Sequence, residues 1–432
     1  MRFSRKGEIK KLLLGSAAAA LLCGVAATDA QATNGYFAHG YSIKNKAMAG
    51  AGVALPLDSI TAATNPAGMV YVGNRYDLGL SLFKPTRSYK TGPGAVNPAA
   101  GGTVTSDSEN FLVPVLGANW MLESGNGSLG LAIFGNGGMN TDYNTSVYQN
   151  FGGGSIPTGV DLSQLFVAPT YARKLNERHS LGITPILAYQ KFESQGLQAF
   201  GITGVSSNGD KLTNNGHDSS YGYGARIGYM GEITPSLTIG AAYQTKIYMD
   251  ELDDYAGLFA DRGDFDIPSN WTVGFAYKAT PKVTLAFDVQ TINYNEVNAV
   301  GNPLQNASLL GGSGALGIPD GDGFGWDDMT VYKLGLQWQQ NDSWTWRAGY
   351  SHGEQPIPAS EVLFNILAPA VVEDHVTCGF TWKPYENQEL DFAMMYGFEN
   401  TLTGLTQSNA GSQYVELTMD QWEFSLGYSW KF

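Results

Sequence analysis

The sequence predicts an all-β protein: a fourteen-stranded antiparallel transmembrane barrel, plugged by its own amino-terminal segment. Three observations predict it. Apolar and polar residues alternate over stretches of about ten residues along most of the chain, the pattern of a membrane strand. The connections between these stretches alternate between short and long. Ahead of the first stretch lies Asn34–Gly73, rich in glycine and alanine, with neither the composition of an exposed helix nor the alternation of a strand. A segment that cannot bury its own apolar groups needs the strands to wrap it.

Composition agrees. The 432 residues include 55 glycines and 12% aromatics, which suits many strands and turns, while charged residues reach only 15%. A net charge of −14 argues against nucleic acid, which asks for a basic face.

Residues 1–32 read as a cleaved export signal. Arg2, Arg5, Lys6, Lys10 and Lys11 precede the apolar run LLLGSAAAALLCGVAA, and Ala30-Gln31-Ala32 is a small-x-small cleavage site that puts the mature start at Thr33. A lipoprotein start at Cys23 is disfavoured by the bulky Leu22, and the apolar run is short for a membrane helix. Cleavage would leave Cys378 as the sole cysteine, so no internal disulfide framework holds the exported chain. A closed hydrogen-bonded barrel in lipid would hold it instead. The domains follow: signal 1–32, hatch 33–73, barrel 74–432.

Strands are expected near 75–90, 109–122, 128–141, 161–175, 179–194, 218–232, 235–250, 268–279, 281–297, 327–340, 343–354, 371–383, 388–400 and 414–432. The last is the cleanest. Trp422, Phe424, Leu426, Tyr428, Trp430 and Phe432 share one face, and Gln421, Glu423, Ser425, Gly427, Ser429 and Lys431 the other. Trp271, Val273, Phe275 and Tyr277 repeat the pattern, as do Trp344, Trp346, Ala348 and Tyr350. Lipid outside and a partly wet lumen inside explain both faces. Short turns fall at LESGNG, KLNERH, EITPS, KATPK, QQNDS and KPYENQ; long connections fall at 91–108, 142–160, 195–217, 251–267, 298–326, 355–370 and 401–413. Such alternation is what an outer-membrane barrel with both termini in the periplasm demands, and a soluble sandwich gives no reason for it.

Several stretches carry a family resemblance. NGYFAHGYSIKNKAMAGAGVALPLDSITAATNPAG resembles the hatch of FadL-type outer-membrane transporters of long-chain fatty acids and other hydrophobic molecules, with Asn65-Pro66-Ala67 as the most specific mark. LGLAIFGNGGMNTDY, IPSNWTVGFAYK and WTWRAGYSHGEQPIPASEVLFNILAPAVVEDHVTCGFTW extend the likeness in order along the chain, while the outer loops match poorly. The resemblance implies a route: capture in an apolar groove among outer loops, a pocket inside the barrel, then sideways release through a gap at a kinked third strand. Lateral exit spares a greasy molecule an uphill step into water. It also implies no cofactor. The implied partners are a hydrophobic small molecule, outer-membrane lipid and lipopolysaccharide around the wall, and the barrel assembly machinery, which reads an aromatic carboxy terminus like Phe432.

Individual residues follow from both lines. Gly135, Asn136, Gly137 and Gly138 interrupt the third strand, marking either the lateral opening or a tight spot against the hatch. Asn65, Pro66 and Ala67 form a turn that seats the hatch or gates it. Tyr36 and Phe37 line a lumenal pocket or fray as a chain end. Leu197, Phe200 and Ile202, with Leu258 and Phe259, supply apolar loop tips for a capture groove or for loop self-packing. Arg226, Lys246 and Arg347 fall on expected lumen-facing positions, to meet a ligand carboxylate or wall acids such as Asp288, Asp391 and Glu423.

Catalysis finds little footing. The five histidines are scattered without metal-ligand spacing, and no serine or cysteine sits in a nucleophile motif. The acidic stretches DELDDYAGLFADRGDFD and PDGDGFGWDD lack EF-hand spacing and read as solvated loops. The sequence therefore favours uptake of long-chain fatty acids. The alternatives are monoaromatic hydrocarbon uptake by the same route, an outer-membrane enzyme, or an adhesin barrel.

Overall fold

The computed structural model describes residues 33–92, 101–148, 154–201, 205–304, 314–408 and 411–432; the expected signal 1–32 and Ile202 lie outside them. Fourteen long strands run β1 Arg75–Thr91, β2 Phe111–Met121, β3 Gly127–Tyr143, β4 Thr158–Lys174, β5 His179–Gln195, β6 Asp218–Thr234 and β7 Leu237–Gln244. They continue with β8 Asn270–Thr280, β9 Val283–Ile292, β10 Met329–Gln339, β11 Trp344–Gly353, β12 Asp374–Tyr385, β13 Gln388–Ser408 and β14 Gly411–Lys431. Each pairs antiparallel with its sequence neighbours, and β14 returns to β1 in unbroken register from Arg75↔Lys431 to Thr91↔Val415. Closure joins the first strand to the last, so the sheet has no free outer edge, which a strand in hydrocarbon cannot tolerate. Among the described residues no helix is long and apolar enough to cross a membrane.

The alternation read from the sequence is the alternation of the wall. On β14, Trp422, Phe424, Leu426, Tyr428 and Trp430 face outward, while Gln421, Glu423, Ser425 and Ser429 are buried inside. Cys378 faces outward too. At the end of the barrel that carries Phe432, Tyr76 stacks on that ring at 4.8 Å and meets Trp120 edge-on at 5.9 Å, part of an interfacial aromatic girdle.

Two expectations about connections need correction. The last pair of strands does not end in a loop over 401–413: pairing continues to Ser408↔Gly411, so this hairpin stands taller than the others. Thr401, Thr403, Thr406, Val415 and Thr418 are β-branched, a residue type that favours an extended ladder. The seventh strand does not run to 250. It stops at Gln244, and after a break Tyr248–Met249 rejoins Tyr223 and Gly222 of β6.

Residues 33–73 lie inside the ring, almost entirely buried. Three short helical turns shape them, each with a side-chain cap. Ser42 Oγ accepts from the Asn45 amide ahead of Ile43–Lys46, and Asp58 Oδ1 from Ile60 ahead of the 3₁₀ turn Ser59–Ala63. Asn65 Oδ1 accepts from Ala67 ahead of Pro66–Tyr71, with Pro66 at the first helical position, where its missing N–H costs nothing. The wall makes room with glycine. A Cβ on Gly240 would sit 2.2 Å from the Val53 carbonyl oxygen, and one on Gly228 would sit 2.0 Å from Asn65 Oδ1.

Candidate functional site

The inner segment is tied to the wall in two ways. Toward β13 and β14 the ties are ionic. Lys44 pairs with Glu389 and lies 3.6 Å from Asp391, and Lys46 pairs with Glu423 and donates to Ser81 Oγ at 2.9 Å. Glu389 also receives Arg75 at 3.1 Å and Lys431 at 2.5 Å, so one buried carboxylate joins the inner segment, β1 and β14. Toward β5, β6 and β9 the ties are hydrogen bonds rather than ion pairs. Asn65 Nδ2 donates to the Val53 carbonyl at 2.6 Å and the Tyr229 carbonyl at 2.9 Å, and Ser180 Oγ donates to the Ala67 carbonyl at 2.9 Å. Asp288 Oδ2 accepts from the Gly52 and Val53 amides at 2.7 and 2.9 Å.

Burial tunes the titrating groups of this segment. Burial, then the Asp77 charge, pushes the Asp58 carboxyl up to about 6. Burial, helped by the Lys46 and Lys333 charges, outweighs Glu423 at His39 and holds it down to about 4, so this imidazole is neutral although its Nδ1 lies 3.5 Å from Glu423 Oε2.

The expected site residues separate into groups. Gly135–Gly138 coincide with a break in the ladder. β2 and β3 pair from Met121↔Ser128 only as far as Val115↔Phe134, while Phe111–Pro114 remain bonded to β1 alone. Asn136 bulges, shifting the register against β4 between Gly135 and Gly137. Contact resumes where the Asp107 amide meets the Asp142 carbonyl at 2.7 Å. Between these points the amino-terminal residues cover the bare edge: Ala38 N donates to the Asn136 carbonyl, and Gly138 N to the Tyr36 carbonyl, both at 2.9 Å. A Cβ on Gly137 would stand 1.7 Å from that Tyr36 oxygen, so only glycine admits this approach.

Tyr36 and Phe37 are buried in an aromatic cluster. Tyr36 lies 5.1 Å from Tyr294, 5.9 Å from Trp326 and 6.1 Å from Phe265, ring to ring, and the Tyr294 hydroxyl accepts from the Tyr36 amide at 3.1 Å. The loop residues join the same core, which corrects the expectation of exposed tips. Leu197, Phe200, Leu258 and Phe259 are all buried, Phe200 against Tyr148 at 4.9 Å and Phe259 against Phe265 at 4.7 Å. Removing apolar area from water drives the packing, so no open groove is formed by these four.

The three basic residues also divide. Lys246 is not a lumen-facing strand residue: it follows the end of β7 and pairs with Asp266 at 2.8 Å. Arg347 is held by Gln337 at 2.8 Å and Thr381 at 2.6 Å. Arg226 is different. It donates to Gln244 Oε1 at 2.5 Å, stands over the Tyr41 ring at 5.9 Å, and lines a cavity of about 20 Å³ with His39, Asn45, Gln290 and Lys333. Lys333 donates to the His39 carbonyl at 3.2 Å. Sequence reasoning missed Lys333, although it occupies the inward parity of β10 beside Gly335 and Gln337. It also missed Lys44 and Lys46, whose presence in a plug demanded acids on the wall. Among the described residues no group of three or more His, Cys, Asp or Glu side chains is arranged to hold a metal.

Comparison with known proteins follows the same lines. Residues 23–432 match the family model for outer membrane protein transport proteins (OMPP1/FadL/TodX). A long-chain fatty acid transport protein of Escherichia coli O6:H1 (strain CFT073) is 20% identical over 284 residues, 61% of each chain. The match thus spans somewhat under two thirds of that curated relative. Among solved structures, a Pseudomonas aeruginosa FadL homologue superposes with a TM-score of 0.70 at 16% identity, covering 92% of this chain and 100% of that one. The P. putida toluene transporter TodX gives 0.68 at 17%, covering 91% and 99%. Identities this low establish the shared fourteen-stranded barrel and leave the substrate open.

Proposed function

The chain belongs to the outer membrane protein transport family (OMPP1/FadL/TodX), an outer-membrane barrel that transports hydrophobic compounds, and from that premise we propose that it takes up long-chain fatty acids and releases them sideways between β2 and β3. The observation that carries this reading is the interrupted β2–β3 ladder, covered from inside by Tyr36–Ala38 rather than by strand. Withdrawing that short cover would uncover a path from the aromatic core to the hydrocarbon. Buried apolar area stabilises the ligand throughout, and lipid receives it at no aqueous cost.

The substrate class is supported by the cavity holding Arg226 and Lys333. Two buried cations facing one small space favour an anionic head group, since burying charge is costly unless a counter-charge completes it. A monoaromatic hydrocarbon would gain nothing there. That second reading draws on the likeness to TodX and on the aromatic surroundings of Tyr36. Asn65-Pro66-Ala67 serves in this scheme as the seat whose shift moves the plug, its neutral bonds being easier to exchange than the ionic ties opposite. The aromatic end at Phe432 suits reading by the assembly machinery, and lipid with lipopolysaccharide surrounds the outward face.

Uptake of oleate and of toluene, in a host whose own channel is deleted, tests the reading. Expression of this chain should restore oleate uptake, and Pro66→Ala should restore it severalfold less well with the barrel folded. No gain with either compound overturns transport. A gain with toluene alone replaces the fatty acid by the aromatic. Hydrolysis of ester substrates by pure protein would instead favour an enzyme.

A further inference from the structure

We propose that Arg87 is a second carboxylate-binding residue, placed at the side gap and distinct from the Arg226–Lys333 cavity. The inference rests on the fatty acid reading above and adds a station to it.

Arg87 sits on the inward face of β1 and is only 4% exposed. Its guanidinium bridges the two lips of the β2–β3 interruption. The cation lies 5.4 Å from the centre of the Phe111 ring at the free end of β2, and Nη1 donates to the Asn140 carbonyl on β3. The remaining donors, Nε and Nη2, have no hydrogen-bond partner among the described residues. Those two N–H groups point the same way and form the side-on fork that accepts a carboxylate through two parallel hydrogen bonds. The acid best placed to neutralise the charge, Glu109, is paired with Lys84 at 3.6 Å instead.

Arg87 lines a mostly apolar cavity. Phe83, Pro85, Met139, Ala368, Pro369 and Met419 surround it, with about 20 Å³ of space, enough for a group the size of a water or one end of a carboxylate. A second buried donor stands nearby: the Tyr143 hydroxyl also lacks a partner, and its ring meets Tyr89, two residues along from Arg87, at 4.8 Å. An unneutralised guanidinium inside an apolar wall is costly as a structural element, because a bulky apolar residue would fill the same place without desolvating a charge. As a transient partner for an anionic head whose tail leads through the gap, it is suitably placed.

The test uses the whole protein in lipid nanodiscs with oleate labelled with ¹³C at the carboxyl carbon. Two bound carboxylate resonances are expected. Arg87→Met should remove one and Arg226→Met the other, while Arg87→Lys, which keeps charge without the fork, should shift the first without abolishing it. Arg87→Met should also weaken oleate binding at that station by about tenfold or more, the effect of losing a charged hydrogen bond, and leave oleyl alcohol binding unchanged. Both resonances persisting in Arg87→Met overturns the proposal while leaving fatty acid transport intact. Equal loss of oleate and oleyl alcohol overturns it in favour of a structural role. A wild-type protein that carries toluene and binds no oleate overturns it together with the reading it rests on.

Discussion

Two seams of the same barrel behave in opposite ways. Where the first strand meets the last, seventeen consecutive positions of β1 are paired, and Glu389 gathers Lys44, Arg75 and Lys431 just behind the seam. Two strands further round, β2 and β3 part after Phe134, and the bare edge is met by Tyr36, Ala38 and Arg87. Both seams lie in the same lipid and obey the same rule that every backbone group must be satisfied. The difference is in who satisfies it. At the closing seam the partner is another strand, which cannot leave without opening the barrel. At the β2–β3 seam the partner is the inner segment, held there by two backbone hydrogen bonds at Tyr36 and Ala38 that can part without opening the barrel.

The comparison is broken most severely at Glu389. Glu389→Gln leaves four cations, Lys44, Arg75, Lys383 and Lys431, around a neutral amide and should lower unfolding free energy by about 3–5 kcal/mol, read from urea titrations in lipid vesicles. An unchanged midpoint would remove the reason for calling this seam the fixed one. Next comes Gly137→Val at the other seam. Its added carbons cannot coexist with the Tyr36 carbonyl, a cost of about 1–3 kcal/mol that the mobile partner should meet by leaving. Chymotryptic cleavage after Tyr36 or Phe37 should then rise about tenfold while the barrel keeps its heat-modifiable migration on gels.

Smaller effects sharpen the contrast between the plug's two kinds of attachment. Asp288→Asn weakens acceptance from the Gly52 and Val53 amides, and should cost about 1–2 kcal/mol, visible as faster hydrogen exchange at those two amides alone. The smallest effect belongs to an outer loop. Burial, then the neighbouring Asp266, raises Asp264 to about 7. The folded loop therefore holds this proton more tightly than the unfolded chain, and its packing should weaken as pH rises from about 4 toward 7, then level off. Limited proteolysis within 251–267 should be a few-fold faster at pH 8 than at pH 5, and Asp264→Asn should flatten that dependence.

The barrel was legible because each outward or inward assignment needed only parity: once Trp422 faces lipid, Glu423 cannot. Turn positions followed from their glycine, proline and asparagine clusters for the same local reason. The height of the last hairpin was not legible, since Thr401–Ser408 could be loop or strand until Gly411 and its neighbours were seen opposite. The site was read unevenly. Gly135–Gly138 announced an irregularity, and the structure puts one there. Leu197, Phe200, Leu258 and Phe259 looked like a surface because each was judged within its own loop, whereas their burial depends on Tyr148 and Phe192 from other stretches. Lys246 failed because the strand stops two residues earlier, at Gln244, which changed what faces where. Arg87 and Lys333 stayed hidden for a different reason: parity tells that a cation points inward, not whether an acid waits for it.

The glycines lining the bore have a consequence for how this molecule changes over evolutionary time. Gly137, Gly228 and Gly240 are sockets cut to the outline of one particular stopper, with clearances that a single methyl would close. Stopper and bore are thus a fitted pair, and a plug borrowed from a cousin would jam unless the matching sockets travelled with it. Drift in the one has to be answered by drift in the other.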